Sequence, residues 1–363
     1  MVECLNKEEN YGPEFGEEIK SKAQLEHFYK QGYRHCGAAY LRFILMVFVC
    51  FWNFGFPEPT AIVSTISGFA IPCFYILSGY FILPNDNEIS IEKTKRKIKR
   101  SGLCFGFMFL VYIIINIPVG MIHKLPISIS LRSVFYFLVL NLWPFSVGSN
   151  IWFIQAMLAA YIVIFIALKL NLMRFYKAVL VLTMIIMLLS GEFAGFIHLD
   201  KIGYQFIPGN WLTRALPYIL LGKLLREKEE HLLRTAAWKY IAVWLAGAVL
   251  ALAELFFLGQ AGCLVYHGHM IGYGIMAFAA CGMALSNPLG SESLITSYFT
   301  RFDPRLSNII YMLMDPIFYT IILLSGKGLL ETATRFGGLA AFAISVLLAF
   351  LLKNARLIKA MNS

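Results

Sequence analysis

Ala70-Ile71-Pro72-Cys73-Phe74-Tyr75-Ile76-Leu77-Ser78-Gly79-Tyr80-Phe81 decides the fold. The stretch carries no charge and sits inside an apolar run over residues 61–83. A bilayer-spanning helix needs about 20 mostly apolar residues, so the run predicts a transmembrane helix. A dense group of cations, Lys93 to Arg100, follows it as a basic loop. The run before it, 38–56, holds Arg42 near its start and Asn53 near its end. An arginine in an apolar span is costly and needs a partner or a water-lined cavity.

The same reading extends along the chain. The 363 residues are 59% hydrophobic and 14% charged, with mean hydropathy +0.68, whereas about a quarter of a soluble domain is charged. Ten spans are predicted, at 38–56, 61–83, 102–122, 151–170, 178–198, 208–225, 238–258, 263–286, 306–325 and 336–353. The fold class is therefore all-α, a polytopic membrane helical bundle of ten transmembrane helices. A membrane domain over 37–353 lies between a hydrophilic tail, 1–36, and a short one, 354–363. Leu25, Phe28 and Tyr29 between lysines suggest an interfacial helix in the first tail. Its acidic, polar start is no cleavable signal, which leaves the first span as an uncleaved anchor. Ser133 to Val147 is apolar but short, and reads as a span, a re-entrant piece or an interfacial helix.

Charge asymmetry orients the bundle. If 133–147 does not cross and the N-terminus is cytoplasmic, 24 of the 31 lysines and arginines fall in inner segments and five in outer ones. Arg42 and Arg214 lie within spans. Both termini are therefore expected in the cytoplasm. The net charge of +10 then reflects topology and contact with anionic lipid, and leaves nucleic acid without support. The seven cysteines (Cys4, Cys36, Cys50, Cys73, Cys104, Cys263 and Cys281) have no paired spacing, so neither a disulfide framework nor a metal site is expected.

Polar residues within the spans mark candidate sites. Eleven residues at 100° each bring Asn53 onto the face of Arg42, about 16 Å further along. Snorkelling is the plain alternative for Arg42, and helix–helix hydrogen bonding for Asn53. Glu192, Arg214, Glu254, His267 and His269 fall in the outer halves of their spans, and Asp315 near the middle of its own. A structural ion-pair network would have no reason to prefer one leaflet, whereas an outward-opening cavity would. Buried charges pair, so Arg214 is expected beside Glu254, Glu192 or Asp315. His267 and His269 point about 200° apart on a helix, which argues against a zinc pair.

These pieces together resemble the membrane acyltransferase 3 family. Arg42, followed by ten residues and then Asn53, is similar to that family's first span, where a histidine ends the motif. Pro72, Phe74, Ser78, Gly79 and Tyr80 match the second-span segment, and Lys95 to Arg100 match the basic loop. Ile151-Trp152-Phe153-Ile154, the stretch from Arg214 to Leu225, and Tyr311 with Asp315-Pro316 continue the resemblance, which covers about 36–353. Two histidines of the pattern are replaced, one by Asn53 and one by Asp315.

The resemblance implies an integral membrane acyltransferase that moves an acyl group, expected to be acetyl, to a hydroxyl of an extracytoplasmic or lipid-linked carbohydrate of the cell envelope. It implies acyl-CoA as a cytosolic donor substrate, no tightly bound cofactor, and a cell-membrane location. Arg42, Lys95, Arg96 and Arg100 would hold the donor. Ser78, Tyr80, Trp152, Glu192, Arg214 and Glu254 would line the acceptor cavity. The family's first-span histidine serves as general base; an amide cannot take that proton, which leaves Asp315, His267 or His269. One alternative is a catalytically impaired relative that binds a lipid-linked sugar or regulates an assembly. Another is a small-solute transporter, against which stands the lack of an inverted repeat.

Overall fold

The computed structural model of the protein describes residues 35–56, 62–123, 131–141, 151–195, 210–263, 269–287, 304–325 and 330–352. Every regular element among them is helical. In chain order these are α1 (Cys36–Phe54), α2 (Ile62–Ile82), α3 (Asn87–His123), α4 (Leu131–Leu140), α5 (Ile151–Lys169), α6 (Tyr176–Ser190), α7 (Leu216–Glu227), α8 (Glu229–Arg234), α9 (Ala237–Gln260), α10 (Ile271–Leu285), α11 (Pro304–Leu324) and α12 (Leu330–Leu352). The tails, with their expected interfacial helix, lie outside the described residues.

Among the described residues, six segments are long and apolar enough to cross a membrane: Cys36–Phe54, Ile62–Ile82, Ile151–Lys169, Leu172–Ser190, Ala237–Gln260 and Arg335–Leu352. Ile271–Leu285 and Leu306–Ile322 are shorter apolar helices. The expected span at 102–122 is the later part of α3, and that at 208–225 is shared between a π turn, Trp211–Ala215, and α7. Leu110, Val181, Leu182, Val249, Phe256, Phe257 and Leu347 are exposed on these helices, as a lipid-facing surface requires. α4, at ten residues, is about 15 Å long and too short to cross alone.

The ends of α1 follow from its sequence. His35 Nδ1 accepts the Ala38 N–H at 3.3 Å as the N-cap. Gly55, at φ 79°, ends the helix in the positive-φ region that glycine tolerates.

α2 is the hub. It packs on α1, α7 and α10, and Tyr75, Ile76 and Leu77 are fully buried. Its closest partner is α7, and glycine makes the approach. A Cβ on Gly79 would lie 1.9 Å from the Ile219 carbonyl oxygen, and one on Gly222 would lie 2.1 Å from that of Ile76. The Ser78-Gly79-Tyr80 segment and the glycine of Leu221-Gly222 are thus two halves of one seam. Around this hub, α9 pairs with α10, α11 with α12, and α3 with α5, while α1 also touches α11 and α12.

One expectation is corrected. The cations from Lys93 to Arg100 are not a loop. They lie in the first part of α3, a continuous helix of 37 residues, about 55 Å long, that runs on into the apolar layer. Apart from Pro118, in its last part, no proline or positive-φ residue interrupts it, and Asp86 starts it by accepting the Ile89 N–H at 2.9 Å.

Candidate functional site

Most of the candidate side chains gather in two clusters, one at each end of the stretch of α2 between Tyr75 and Phe81. The inner cluster surrounds Arg42. Its guanidinium lies 5.2 Å from the centre of the Phe81 ring, whose edge also meets the His35 ring at 5.9 Å. The Arg42 charge acts on His35, Tyr161 and Lys97. Ser78 Oγ shares a hydrogen bond with the Tyr161 hydroxyl. The Tyr80 hydroxyl donates to Glu229 Oε1, which also pairs with Arg226, and the Arg226 guanidinium stacks 5.0 Å from the Tyr80 ring.

The helical form of the basic segment decides which cations reach this cluster. Residues 93, 97 and 100 share a face of α3 by i, i+4, i+7 spacing. Lys93 Nζ donates to the Phe81 carbonyl at 3.2 Å, near the end of α2. Lys97 is partly buried; removal from water first, then the charges of Arg42 and Arg100, pull its pKa down to about 8. Burial, then Arg42, drives the His35 pKa down to about 3, so its imidazole is neutral at ordinary pH. Lys95 and Arg96, expected at the site, are exposed instead, and Arg96 pairs with Glu92 one turn away. Neither Arg42 nor Lys97 forms an ion pair with a carboxylate among the described residues.

Lys97, Lys93, Arg226, His35 and Tyr161 were not among the expected site residues. Reading Lys93–Arg100 as helix would have selected Lys93 and Lys97. Nothing in the local sequence marks Arg226 or Tyr161, which arrive through tertiary packing.

The outer cluster is built around Arg214, in the π turn before α7. Asn210 caps this turn, accepting from Leu212 N–H at 2.8 Å and Thr213 N–H at 3.2 Å. Arg214 Nε donates to His269 Nε2 at 3.3 Å, and its guanidinium lies 4.4 Å from the Trp152 ring centre. Tyr75, Tyr218 and Tyr311 also lie within reach of its charge. Glu192 is fully buried beside Gly191, where an added Cβ would lie 2.5 Å from His269 Cβ. Glu254 accepts the Ile271 and Gly272 N–H groups at 3.1 and 2.9 Å, which makes it the anionic cap at the start of α10 rather than a partner of Arg214.

Asp315 belongs to a third group. It is buried, accepts a hydrogen bond from the Tyr112 hydroxyl of α3, and lies within electrostatic reach of Tyr311, one turn earlier on α11. Tyr311 in turn packs on Phe153 at 5.3 Å and feels the Arg214 charge, so it joins Asp315 to the outer cluster. Asn53 lies at the end of α1 between Trp52, which meets Tyr273 at 5.9 Å, and Phe54, which meets Phe318 of α11 at 4.3 Å. No hydrogen bond joins Asn53 to Asp315 or His269. His267 lies outside the described residues. No group of three or more histidine, cysteine, aspartate or glutamate side chains suited to a metal ion occurs among the described residues.

The arrangement can therefore hold an anion on one side of the bundle and orient a polar group on the other. Along α2 the two clusters are separated by six residues, about 9 Å. The model of a family described as an acyltransferase domain matches residues 38–353. No curated protein and no solved structure matches the chain. The match spans both clusters apart from His35 and covers nearly all of every helix that builds them: the chain belongs to the acyltransferase 3 family, and it is a multi-pass membrane protein.

Proposed function

We propose that the protein transfers an acyl group, acetyl by preference, from cytosolic acyl-CoA to a hydroxyl of an extracytoplasmic or lipid-linked carbohydrate. The single observation that carries the donor half is the pair Arg42 and Lys97. Two cations within electrostatic reach of each other, partly out of water and with no carboxylate paired to either among the described residues, are unfavourable until an anion arrives between them. The diphosphate of acyl-CoA meets that requirement, with Arg100 beside it. The Arg42 end of the bundle is then cytosolic, in agreement with the charge asymmetry and with ten spans whose two ends share that side.

The acceptor hydroxyl needs a base. Asp315 is assigned that role, since His269 already offers its Nε2 to Arg214 and Asn53 is an amide. The acceptor's other polar groups would meet Arg214, Trp152 and Glu192. One observation favours a second reading: Asn53 hydrogen-bonds to neither Asp315 nor His269, as in a relative that binds carbohydrate but has lost transfer. Purified protein in lipid nanodiscs, given acetyl-CoA and a panel of glycans, tests both. Acetyl transfer that is lost in Asp315→Asn while donor binding persists supports the enzyme. Donor binding without transfer, with transfer gained in Asn53→His, supports the impaired relative. Neither binding nor transfer rejects both.

A further inference from the structure

A second cationic feature lies one turn of α2 away from the Arg42 cluster. A cavity of about 410 Å³ opens where the end of α2, the α5–α6 connection and the end of α7 meet. Tyr80 and Phe81 face the Arg42 cluster, whereas Leu83 and Pro84 form an edge of this cavity. On α7 the division repeats: Arg226 belongs to the first cluster, Lys223 and Glu227 to the cavity.

The cavity's charges do not balance. Lys177 and Lys223 share one carboxylate, Glu227, at 3.2 and 3.6 Å, and Arg174 adds a third cation. Lys223 is largely buried and lies 5.1 Å from the Tyr176 ring centre, so the floor is positioned rather than loose. Asn171, held at φ 58° in the tight connection after α5, and Asn85 offer side-chain amides that both donate and accept. A phosphomonoester beside a heterocycle edge suits this combination of cations and amides.

We infer that this cavity is the subsite for the nucleotide end of the donor, with Lys177, Lys223 and Arg174 holding its 3′-phosphate and the asparagines meeting the adenine edge. The inference rests on the acyl-CoA reading above. It assigns the diphosphate to the Arg42 cluster and the 3′-phosphate to a separate place, so the protein distinguishes CoA from 3′-dephospho-CoA. The same phosphate chemistry could be supplied by an anionic lipid headgroup, and the test separates the two sources.

The measurement is equilibrium binding of CoA and of 3′-dephospho-CoA to the full chain in zwitterionic nanodiscs. Wild type should prefer CoA by about tenfold, as expected for one charge-assisted phosphate contact. The Lys177→Ala/Lys223→Ala variant should lose that preference while its affinity for 3′-dephospho-CoA stays within about twofold. A second reading uses unaltered protein: adenosine 3′,5′-bisphosphate should protect Lys177 from an amine-reactive reagent. Equal binding of the two ligands by wild type overturns this inference and leaves the donor reading intact. Binding of neither overturns the donor reading as well. Protection of Lys177 by phosphatidylglycerol vesicles but not by the bisphosphate overturns the nucleotide subsite and gives the cavity to lipid.

Discussion

Lys97 is where charge, burial and pH meet. Its ordinary pKa of 10.5 falls to about 8 because it is withdrawn from water beside Arg42 and Arg100. In the free protein its charge is lost as pH rises through about 8, so donor affinity should fall between pH 7 and pH 9. An anion between Lys97 and Arg42 restores the lysine's proton, so binding near pH 8 should take up protons, measurable from the buffer dependence of the binding heat. Lys97→Arg keeps its charge over that range and should flatten the profile. The sign for stability follows. Below about 8 the lysine is charged in both folded and unfolded chains, and the fold bears the cost of enclosing it. From about 8 to 10.5 the unfolded chain binds more protons, so the free protein should gain thermal stability as pH rises. Asp315 is the other decisive residue. Asp315→Asn should lower the transfer rate by about 10²–10⁴-fold, the usual contribution of a positioned base, and leave donor affinity in place.

At the scale of elements, the α2–α7 seam and the first part of α3 position everything else. Gly79 and Gly222 let two backbones touch, and a methyl group at either would meet a carbonyl oxygen. Gly79→Ala or Gly222→Ala should cost about 1–3 kcal/mol or more, read as a lower thermal midpoint in detergent, whereas Gly102→Ala, with nothing near its added Cβ, should be tolerated. These elements also separate what was legible in the sequence from what was not. Apolar runs showed the helices, because length and hydropathy are local properties. Arg42 and Arg214 stood out as candidates because a charge in an apolar run is conspicuous. The basic segment was misread because a cation run with a single apolar residue, Ile98, shows no hydrophobic periodicity. Its helical form leaves Lys95 and Arg96 exposed and brings Lys97 within reach of the Arg42 charge and Lys93 to the end of α2. Glu254 was one of three carboxylates, with Glu192 and Asp315, expected beside Arg214; the N-terminus of the next helix claims it, a partner that sequence spacing cannot reveal.

On the scale of the whole molecule, two charge-bearing clusters lie on either side of a seam only about 9 Å deep along α2. That is far less than the hydrocarbon thickness of about 30 Å, so under the proposed transfer the acyl group has only a short barrier to pass between the clusters. The proposed orientation places both ends of the chain and the exposed face of α3 on the cytosolic side. In a background whose native cysteines are replaced by serine, a Lys95→Cys variant should react with a membrane-impermeant thiol reagent in inverted vesicles and stay unlabelled in right-side-out cells. The reverse pattern would turn the donor cluster to the wrong face. The most direct test of the central claim is equilibrium binding of acetyl-CoA to the purified chain in nanodiscs, comparing wild type with Arg42→Ala and Lys97→Ala. The account predicts binding by wild type, weakened at least about tenfold in each variant by loss of a charge-assisted contact; wild-type affinity that neither substitution changes would contradict it.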